Sequence, residues 1–248
     1  MTLELFSADR RLVGVKPIES RTLRSLSIVI PTLNEADELE QTVRRARAIP
    51  EVAGITVVDG GSCDGTVELA TALGCTVLMA SASRGGQLRL GANEATGDVI
   101  LLLHADTWLP PGAGRAALAC FQQPDVVGGA FWKIFRDPTW LMRGSRARCG
   151  LRLWLGGRLM GDQAIFVRRD ALEKIGGVPD LPLMEEFELC RRLRRLGRLV
   201  LADATVSTST RRFQKHGVLR TYWRMGEVTI RHWLGQSPDS LRRIYDKK

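Results

Sequence analysis

Three short acid-bearing stretches hold the residue types from which polar chemistry can be built. They are Val57-Val58-Asp59-Gly60-Gly61, His104-Ala105-Asp106 and Met184-Glu185-Glu186-Phe187-Glu188. A carboxylate can accept hydrogen bonds, ligate a hard cation or take a proton from a reacting hydroxyl. The middle stretch ends the apolar run Val99-Ile100-Leu101-Leu102-Leu103, which reads as a strand buried on both faces. A buried strand holds a histidine and an aspartate only at a cost. Open α/β sheets bind ligands just beyond the carboxyl ends of their strands. We therefore read the three stretches as parts of one site.

The elements that must position them alternate along the chain. Leu26 to Ile30 is a β-branched strand stopped by Pro31, and Asn34 is placed to cap a helix carrying Leu39, Val43 and Ala46 on one face. Ile55 to Val58 repeats the strand, followed by a helix from Thr66 that stops at Gly74. Thr76 to Met79 is a third strand. A loop through Arg84 and a helix from Gln87 to Ala95 then lead into the Val99 strand. This alternation predicts βαβ crossovers, hence an α/β fold with a mostly parallel central sheet and helices on both faces.

Beyond Asp106 the pattern loosens. We expect a short helix from Ala116 to Phe121, a long strand from Val126 to Phe135 and an arginine-studded amphipathic helix from Trp140 to about Leu155. A strand at Ala164–Val167, a short helix after Asp170 and a helix from Glu186 to Leu196 follow. Three regions result: an extension over 1–25, a main domain over 26–212, and a basic, aromatic helical segment over 213–248. In that last segment Tyr222, Trp223, Arg224, Arg231 and Trp233 interleave aromatic and basic side chains. Such a helix suits either an anionic membrane interface or packing on the domain.

Composition narrows the class. Lys and Arg number 36 against 27 Asp and Glu, a net charge of +9, which favours polyanionic partners without choosing among them. The five cysteines are scattered and form no C-x-x-C pair. That argues for a reducing compartment and against a zinc site or a disulfide framework. No apolar run approaches the roughly 18–20 residues that span a bilayer, and the first residues lack the apolar core of a secretion signal. A cytoplasmic protein is expected.

Pro31-Thr32-Leu33-Asn34-Glu35, Val58-Asp59-Gly60-Gly61-Ser62-Cys63-Asp64-Gly65-Thr66, His104-Ala105-Asp106 and Met184-Glu185-Glu186 occur in an order that resembles family-2 glycosyltransferases of the GT-A fold. The resemblance runs from about Leu26 to at least Arg212. It is strongest to compact bacterial members associated with arsenosugar biosynthesis. It implies an inverting transfer from a nucleotide-diphosphate sugar donor to an acceptor hydroxyl, with a divalent cation, Mn²⁺ or Mg²⁺. The implied donor site comprises Pro31, Thr32, Asn34, Glu35, Asp59, Gly60, Arg84, His104, Ala105 and Asp106.

Within that site Asp59 suits hydrogen bonding to the nucleotide base, or else caps its own turn. Arg84 suits the phosphates. His104 stands where the family's D-x-D motif has its first acid. Asp106, the last acid of that motif, is the implied metal ligand, with His216 a possible second. Glu185-Glu186 stands where the family has Glu-Asp, which makes Glu186 the implied general base, one methylene longer than the aspartate. Because two neighbours on a helix diverge by about 100°, only one of the pair is expected to face the acceptor. Gly161-Asp162-Gln163 is placed to line the acceptor pocket. The processive enzymes' Gln-x-x-Arg-Trp pattern is absent, and Ser209-Thr210-Arg211-Arg212-Phe213 stands in that region, so one sugar per acceptor is expected.

Other readings fit less well. A sugar-nucleotide pyrophosphorylase would open with a G-x-G-T-R stretch and a dinucleotide oxidoreductase with G-x-G-x-x-G, and neither follows the first strand. A nucleic-acid-binding role could use the net charge, but the arginines are spread over several helices with no recognition motif, so no nucleic-acid partner is expected. A non-catalytic sugar-nucleotide binder remains the chief alternative, motivated by the two departures at His104 and Glu186.

Overall fold

The apolar strands are where the structure begins to order. In the computed structural model, which describes residues 23–246, β1 (Leu26–Thr32), β2 (Val52–Asp59), β3 (Thr76–Met79) and β4 (Val99–Leu102) lie side by side and parallel. Their connections are α1 (Ala36–Arg47), α2 (Thr66–Ala72) and α3 (Arg84–Glu94). Alternate residues of these strands face opposite layers. Ile28, Ile30, Val57 and Leu101 pack under α1 and α2, while Val29, Val58, Ile100 and Leu102 pack under α3. Both faces are covered, which is why the strands read as unbroken apolar runs.

The second half completes one eight-stranded sheet of order β3-β2-β1-β4-β7-β6-β8-β5. After β5 (Thr107–Trp108) and α4 (Ala113–Cys120) come β6 (Val126–Phe135), α5 (Ser145–Gly156), β7 (Ile165–Arg168), α6 (Arg169–Lys174), α7 (Glu185–Leu193) and β8 (Arg198–Thr208). Here the sheet turns mixed. β7 runs antiparallel to both β4 and β6, and β5 antiparallel to β8, whereas β6 and β8 are parallel. The expected parallel character therefore belongs to the β1–β4 half of the sheet and gives way beyond it.

Three helices close the chain: α8 (Arg211–His216), α9 (Val218–Trp233) and α10 (Pro238–Asp246). The boundary expected after Arg212 falls inside α8. These helices are docked on the rest of the molecule. Val228 and Leu241 pack on Met184 and Phe187, and Phe213 packs on Phe135 and Met142. The packing alternative thus holds for one face of α9, while its other face is open. Of the expected extension, only Leu23, Arg24 and Ser25 fall within the described residues; the amides of Arg24 and Ser25 donate to Asp98 Oδ2 at 2.9 and 3.2 Å.

Several boundaries shift for identifiable reasons. Helix α3 starts at Arg84, because the Ser83 hydroxyl accepts from the Gly86 amide and caps it earlier than the glycines suggested. Helix α4 likewise starts at Ala113. The arginine-rich segment is broken at Gly144, whose φ of +78° ends a short 3₁₀ turn before α5 begins. Strand β8 was not expected, whereas α10 lies within the helical segment expected over 213–248. β8 alternates poorly, since its Asp203 and Ala204 interrupt the apolar pattern, and its pairing with β6 supplies what its sequence lacks.

Phe166 sits at the centre of this sheet, fully buried. Its ring meets Phe121 edge-on at 5.7 Å and Phe131 at 5.3 Å between centroids. Phe166→Ala should destabilise the fold by about 3–5 kcal/mol, the usual cost of an aromatic cavity. Urea unfolding followed by circular dichroism measures it, and a loss below about 1 kcal/mol would show that the two sheet halves do not depend on this contact.

Candidate active site

The carboxyl ends of β1, β2 and β4 meet at one edge, and the side chains there are committed to one another. Asp59, at the end of β2, is fully buried. Its Oδ1 accepts from the amides of Gly61 and Ser62 at 2.8 and 2.7 Å. Its Oδ2 accepts from the Ser62 and Thr32 hydroxyls at 2.5 and 2.9 Å. Burial opposes the charge, yet these four bonds outweigh it and hold the acid below its ordinary range. All four acceptor positions are filled, so Asp59 organises the turn, and the loop it shapes is what faces outward. Gln87 finishes this edge from α3, donating to the carbonyls of Thr32 and Val58 at 2.8 and 2.7 Å. Gln87 was not anticipated, although a glutamine on the inward face of an otherwise apolar helix is the signal that could have marked it.

Asn34 does not cap α1. It adopts a left-handed φ of +57°, and its Oδ1 accepts from the Cys63 amide while its own amide donates to Ser62 Oγ. The α1 N-cap is Glu35, and the first helical amide, Ala36, is satisfied by Asp64 Oδ2 at 3.1 Å. Pro31, Thr32, Asn34, Glu35 and Gly60 thereby form one cross-linked double loop with the Asp59 turn.

Asp106 lies half-buried beyond β4 among both signs of charge. Glu35 pairs with Arg211 at 2.5 Å and Glu38 with Arg136 at 2.6 Å. Arg136 also donates to the Asp106 carbonyl and lies 3.8 Å over the Trp108 ring. Burial chiefly, then the charges of Glu38 and Asp162, push the Asp106 carboxyl upward. Burial pushes the Glu35 carboxyl upward as well, so a bound cation would relieve the ionisation of both acids.

The third stretch closes over the same edge. Glu185 and Glu186 begin α7 behind Met184, a non-glycine residue at φ +64°. Both glutamates are buried, and both line one cleft with Arg84, His104, Gly161 and Leu102. This corrects the expectation that the pair diverges. The left-handed residue before the helix tips its first turn inward, and the two carboxyls share a hydrogen bond. Arg84 Nε stands 2.8 Å from Glu185 Oε1, a charge contact whose angles fall outside hydrogen-bond geometry. Arg84 belongs to the site rather than to a solvated loop. Gly85 explains the closeness, since a Cβ there would sit 2.5–2.6 Å from the Pro179 and Leu181 backbone.

Four buried polar atoms converge here without hydrogen-bond partners: Arg84 Nε, His104 Nε2, Asp162 Oδ1 and Glu185 Oε1. Such groups cost free energy unless something pairs with them. The His104 ring is held neutral, its pKa pushed down to about 3 by burial and then by the Arg84 charge. Asp162 is bound by Lys133 at 2.5 Å, which wins over burial and keeps the acid ionised. The 161–163 turn lies beside this cleft, with Gly161 so close to Arg84 and His104 that no side chain fits between. Lys133 was missed, because one lysine on an apolar strand carries no sequence signal. Ala105 is buried and offers only backbone.

His216 does not join this group. It lines a separate pocket with Arg212, Arg220 and Arg224, and burial, then the cations around it, lower its pKa. A histidine ringed by arginines repels a metal ion. Among the described residues no three His, Cys, Asp or Glu side chains come together at ligand spacing.

Comparison with known proteins identifies the family and the fold. The family model for glycosyl transferase family 2 matches residues 27–176. The chain belongs to glycosyl transferase family 2. It is 32% identical over 162 residues to undecaprenyl-phosphate 4-deoxy-4-formamido-L-arabinose transferase of Edwardsiella ictaluri, covering 60% of this chain and 49% of that one. A Yersinia enterocolitica relative of the same name is 31% identical. The chain thus spans about half the length of the curated relatives it matches. Among solved structures, a mannosyltransferase from Pyrobaculum calidifontis in complex with GDP-Man and Mn²⁺ superposes with a TM-score of 0.66 at 19% identity, covering 93% of this chain and 70% of that one. Glucosyl-3-phosphoglycerate synthase of Mycobacterium tuberculosis, in complex with Mn²⁺ and UDP among its ligands, gives 0.53 at 20%, covering 72% and 70%. At these identities the likeness is one of fold.

Burial, the Glu185 charge and the hydrogen bond from Glu185 raise the Glu186 pKa from 4.5 to about 8, against the pull of Arg84. The folded state therefore binds more protons than the unfolded one between these values, and the contribution of Glu186 to stability is present below the lower value and lost as pH rises through the upper. Wild type should lose unfolding midpoint relative to Glu186→Gln as pH is raised from about 5 to about 9. Urea titrations across that range measure it, and parallel curves would show that Glu186 is not held protonated.

Proposed function

We propose that this chain transfers a hexosyl-type sugar from a nucleotide-diphosphate donor to an acceptor hydroxyl with inversion, one sugar per acceptor. The observation that carries the reading is the buried Glu185–Glu186 pair set across one cleft from Arg84 and His104, at the strand ends where a GT-A sheet holds its donor. The double loop of Thr32, Asn34, Glu35 and Gly60 would seat the nucleotide, with Asp59 fixing its shape. Arg84 would turn from Glu185 to the diphosphate, since a phosphate group offers it better-aligned acceptors than the present contact. Neutral His104 would donate or accept a single hydrogen bond to the donor.

A divalent cation fits the donor set in a specific way. Asp106 supplies a hard oxygen whose charge its acidic neighbours disfavour, so Mn²⁺ or Mg²⁺ would be held by Asp106 and chiefly by diphosphate oxygens. Such an ion, when bound, offsets charge on the leaving diphosphate. Glu186 would take the acceptor proton. Its raised pKa near operating pH is the tuning a general base requires.

A second reading concerns the acceptor. The relatives' names carry undecaprenyl phosphate, a lipid phosphate, and a phosphate acceptor is already anionic and needs no base. Either way, the open face of α9 supports placement at the anionic cytoplasmic surface of a membrane. No helix among the described residues is long and apolar enough to cross one. The alternative of a non-catalytic binder is separated by product formation.

Asp106→Asn should keep the fold and lose the metal-dependent part of nucleoside diphosphate affinity. Calorimetric titration of uridine and guanosine diphosphates with and without Mn²⁺ tests it. An unchanged metal-dependent affinity in the variant would remove Asp106 from the site.

A further inference from the structure

Where the edge carrying Asp106 meets the start of α8, Arg136 and Arg211 serve the carboxylates of Glu35, Glu38 and Asp106, and the two arginines are held very differently. Arg136 is 16% exposed and fixed from several sides. It pairs with Glu38 at 2.6 Å, donates to the Asp106 carbonyl at 2.9 Å and lies over the Trp108 ring. Arg211 is 44% exposed and meets Glu35 Oε2 through Nη2 at 2.5 Å. Its charge acts on Asp106 and Glu38 as well.

The backbone puts Arg211 there. The Ser209 amide donates to the Asp106 carbonyl at 3.2 Å, and Thr208 pairs with Thr107 across β8 and β5. The chain entering α8 is thereby fastened to the turn that carries Asp106, and Arg211, two residues later, reaches Glu35 on the double loop. Helix α8 draws no benefit from this. Its first turn carries Arg211 and Arg212 and no acid, the charge order that a helix N-terminus disfavours. The acidic cluster, and not its own helix, holds Arg211 in place. A guanidinium half in water makes an exchangeable contact of small net stability.

We propose that Arg211 is a resident counter-ion for Glu35 and Asp106, which a divalent cation displaces on entering the site. The proposal rests on the cation reading given above and adds the step that admits the ion. A divalent ion and a guanidinium at contact distance repel even in water, so the two cannot share these acids. Arg136, locked by its three contacts, stays and keeps the Asp106 turn in place. Cation affinity is then set by a contest, and Arg211 lowers it in the resting protein.

Mn²⁺ titrations read by the paramagnetic resonance signal of the free ion, with and without uridine diphosphate, test this in a double-mutant cycle of Arg211→Gln and Glu35→Gln. Arg211→Gln should bind Mn²⁺ about tenfold more tightly than wild type, the effect of removing one unit charge about 6 Å from a divalent ion in water. Lys215 is an exposed residue one turn further along α8. Lys215→Gln removes the same charge there and should change the affinity by less than about twofold, because salt screens it. In the Glu35→Gln background the increase caused by Arg211→Gln should shrink to about twofold or less, because the guanidinium is already released. Equal increases in both backgrounds would overturn the proposal and make Arg211 a distant charge only. Weaker Mn²⁺ binding by Arg211→Gln in the presence of the diphosphate would overturn it too, and assign Arg211 to the phosphates. Either result leaves the cation reading standing. If wild type takes up no Mn²⁺ even beside the diphosphate, the cation reading itself fails, and the contest with it.

Discussion

The charge contact between Arg84 and Glu185 is the constraint around which the site is built. One charged partner is almost wholly buried, and desolvated ions are tolerated only when paired. Pairing them requires the first turn of α3 to touch the backbone ahead of α7, which is possible because residue 85 is glycine. It also requires α7 to start with both glutamates facing inward, which Met184 accomplishes through a left-handed backbone. The arginine neutralises only one of two adjacent carboxyls. The other is driven to keep its proton, and the unsatisfied atoms of Arg84, His104, Asp162 and Glu185 remain aimed at the same space. Phosphate oxygens of a ligand would accept from Arg84 and from a protonated His104 Nε2.

How much of this the sequence disclosed follows from the range of the interactions involved. The parallel half of the sheet was legible, because Val29, Ile100 and their neighbours are buried on both faces and leave continuous apolar runs. The carboxyl-end residues Asp59 and Asp106 were legible for the same reason, as polar residues stopping such runs. The inward turn of Glu185 was not, since it depends on the φ of Met184 and no local pattern announces it. Lys133 acts through a partner 29 residues away, where sequence pattern is silent. Strand β8 formed against its own weak alternation because β6 was there to pair with it. His216 was placed at the metal by chain order alone, and three arginines put it elsewhere.

The C-terminal helices link these features. Leu241 and Val228 pack on Met184 and Phe187, so α9 and α10 bear directly on the residue that tips α7. Arg242 reaches back to the Ala82 carbonyl beside the start of α3. A surface that contacts a membrane through α9 would therefore sit one layer away from the carboxylate pair.

The central claim is that Glu186 faces the cleft and, in its ionised form, is the base of the transfer. The most direct measurement is turnover of Glu186→Gln alongside Glu185→Gln, with donor affinity measured on the same samples and a nucleotide sugar chosen by thermal-shift screening with Mn²⁺. The account predicts that Glu186→Gln keeps donor affinity while turnover falls by about 10²–10⁴-fold, the usual worth of a positioned base. Glu185→Gln should lose less turnover, since its task is to hold Arg84. Full turnover in Glu186→Gln would contradict the account and point to an acceptor, such as a phosphate, that arrives without a proton to remove.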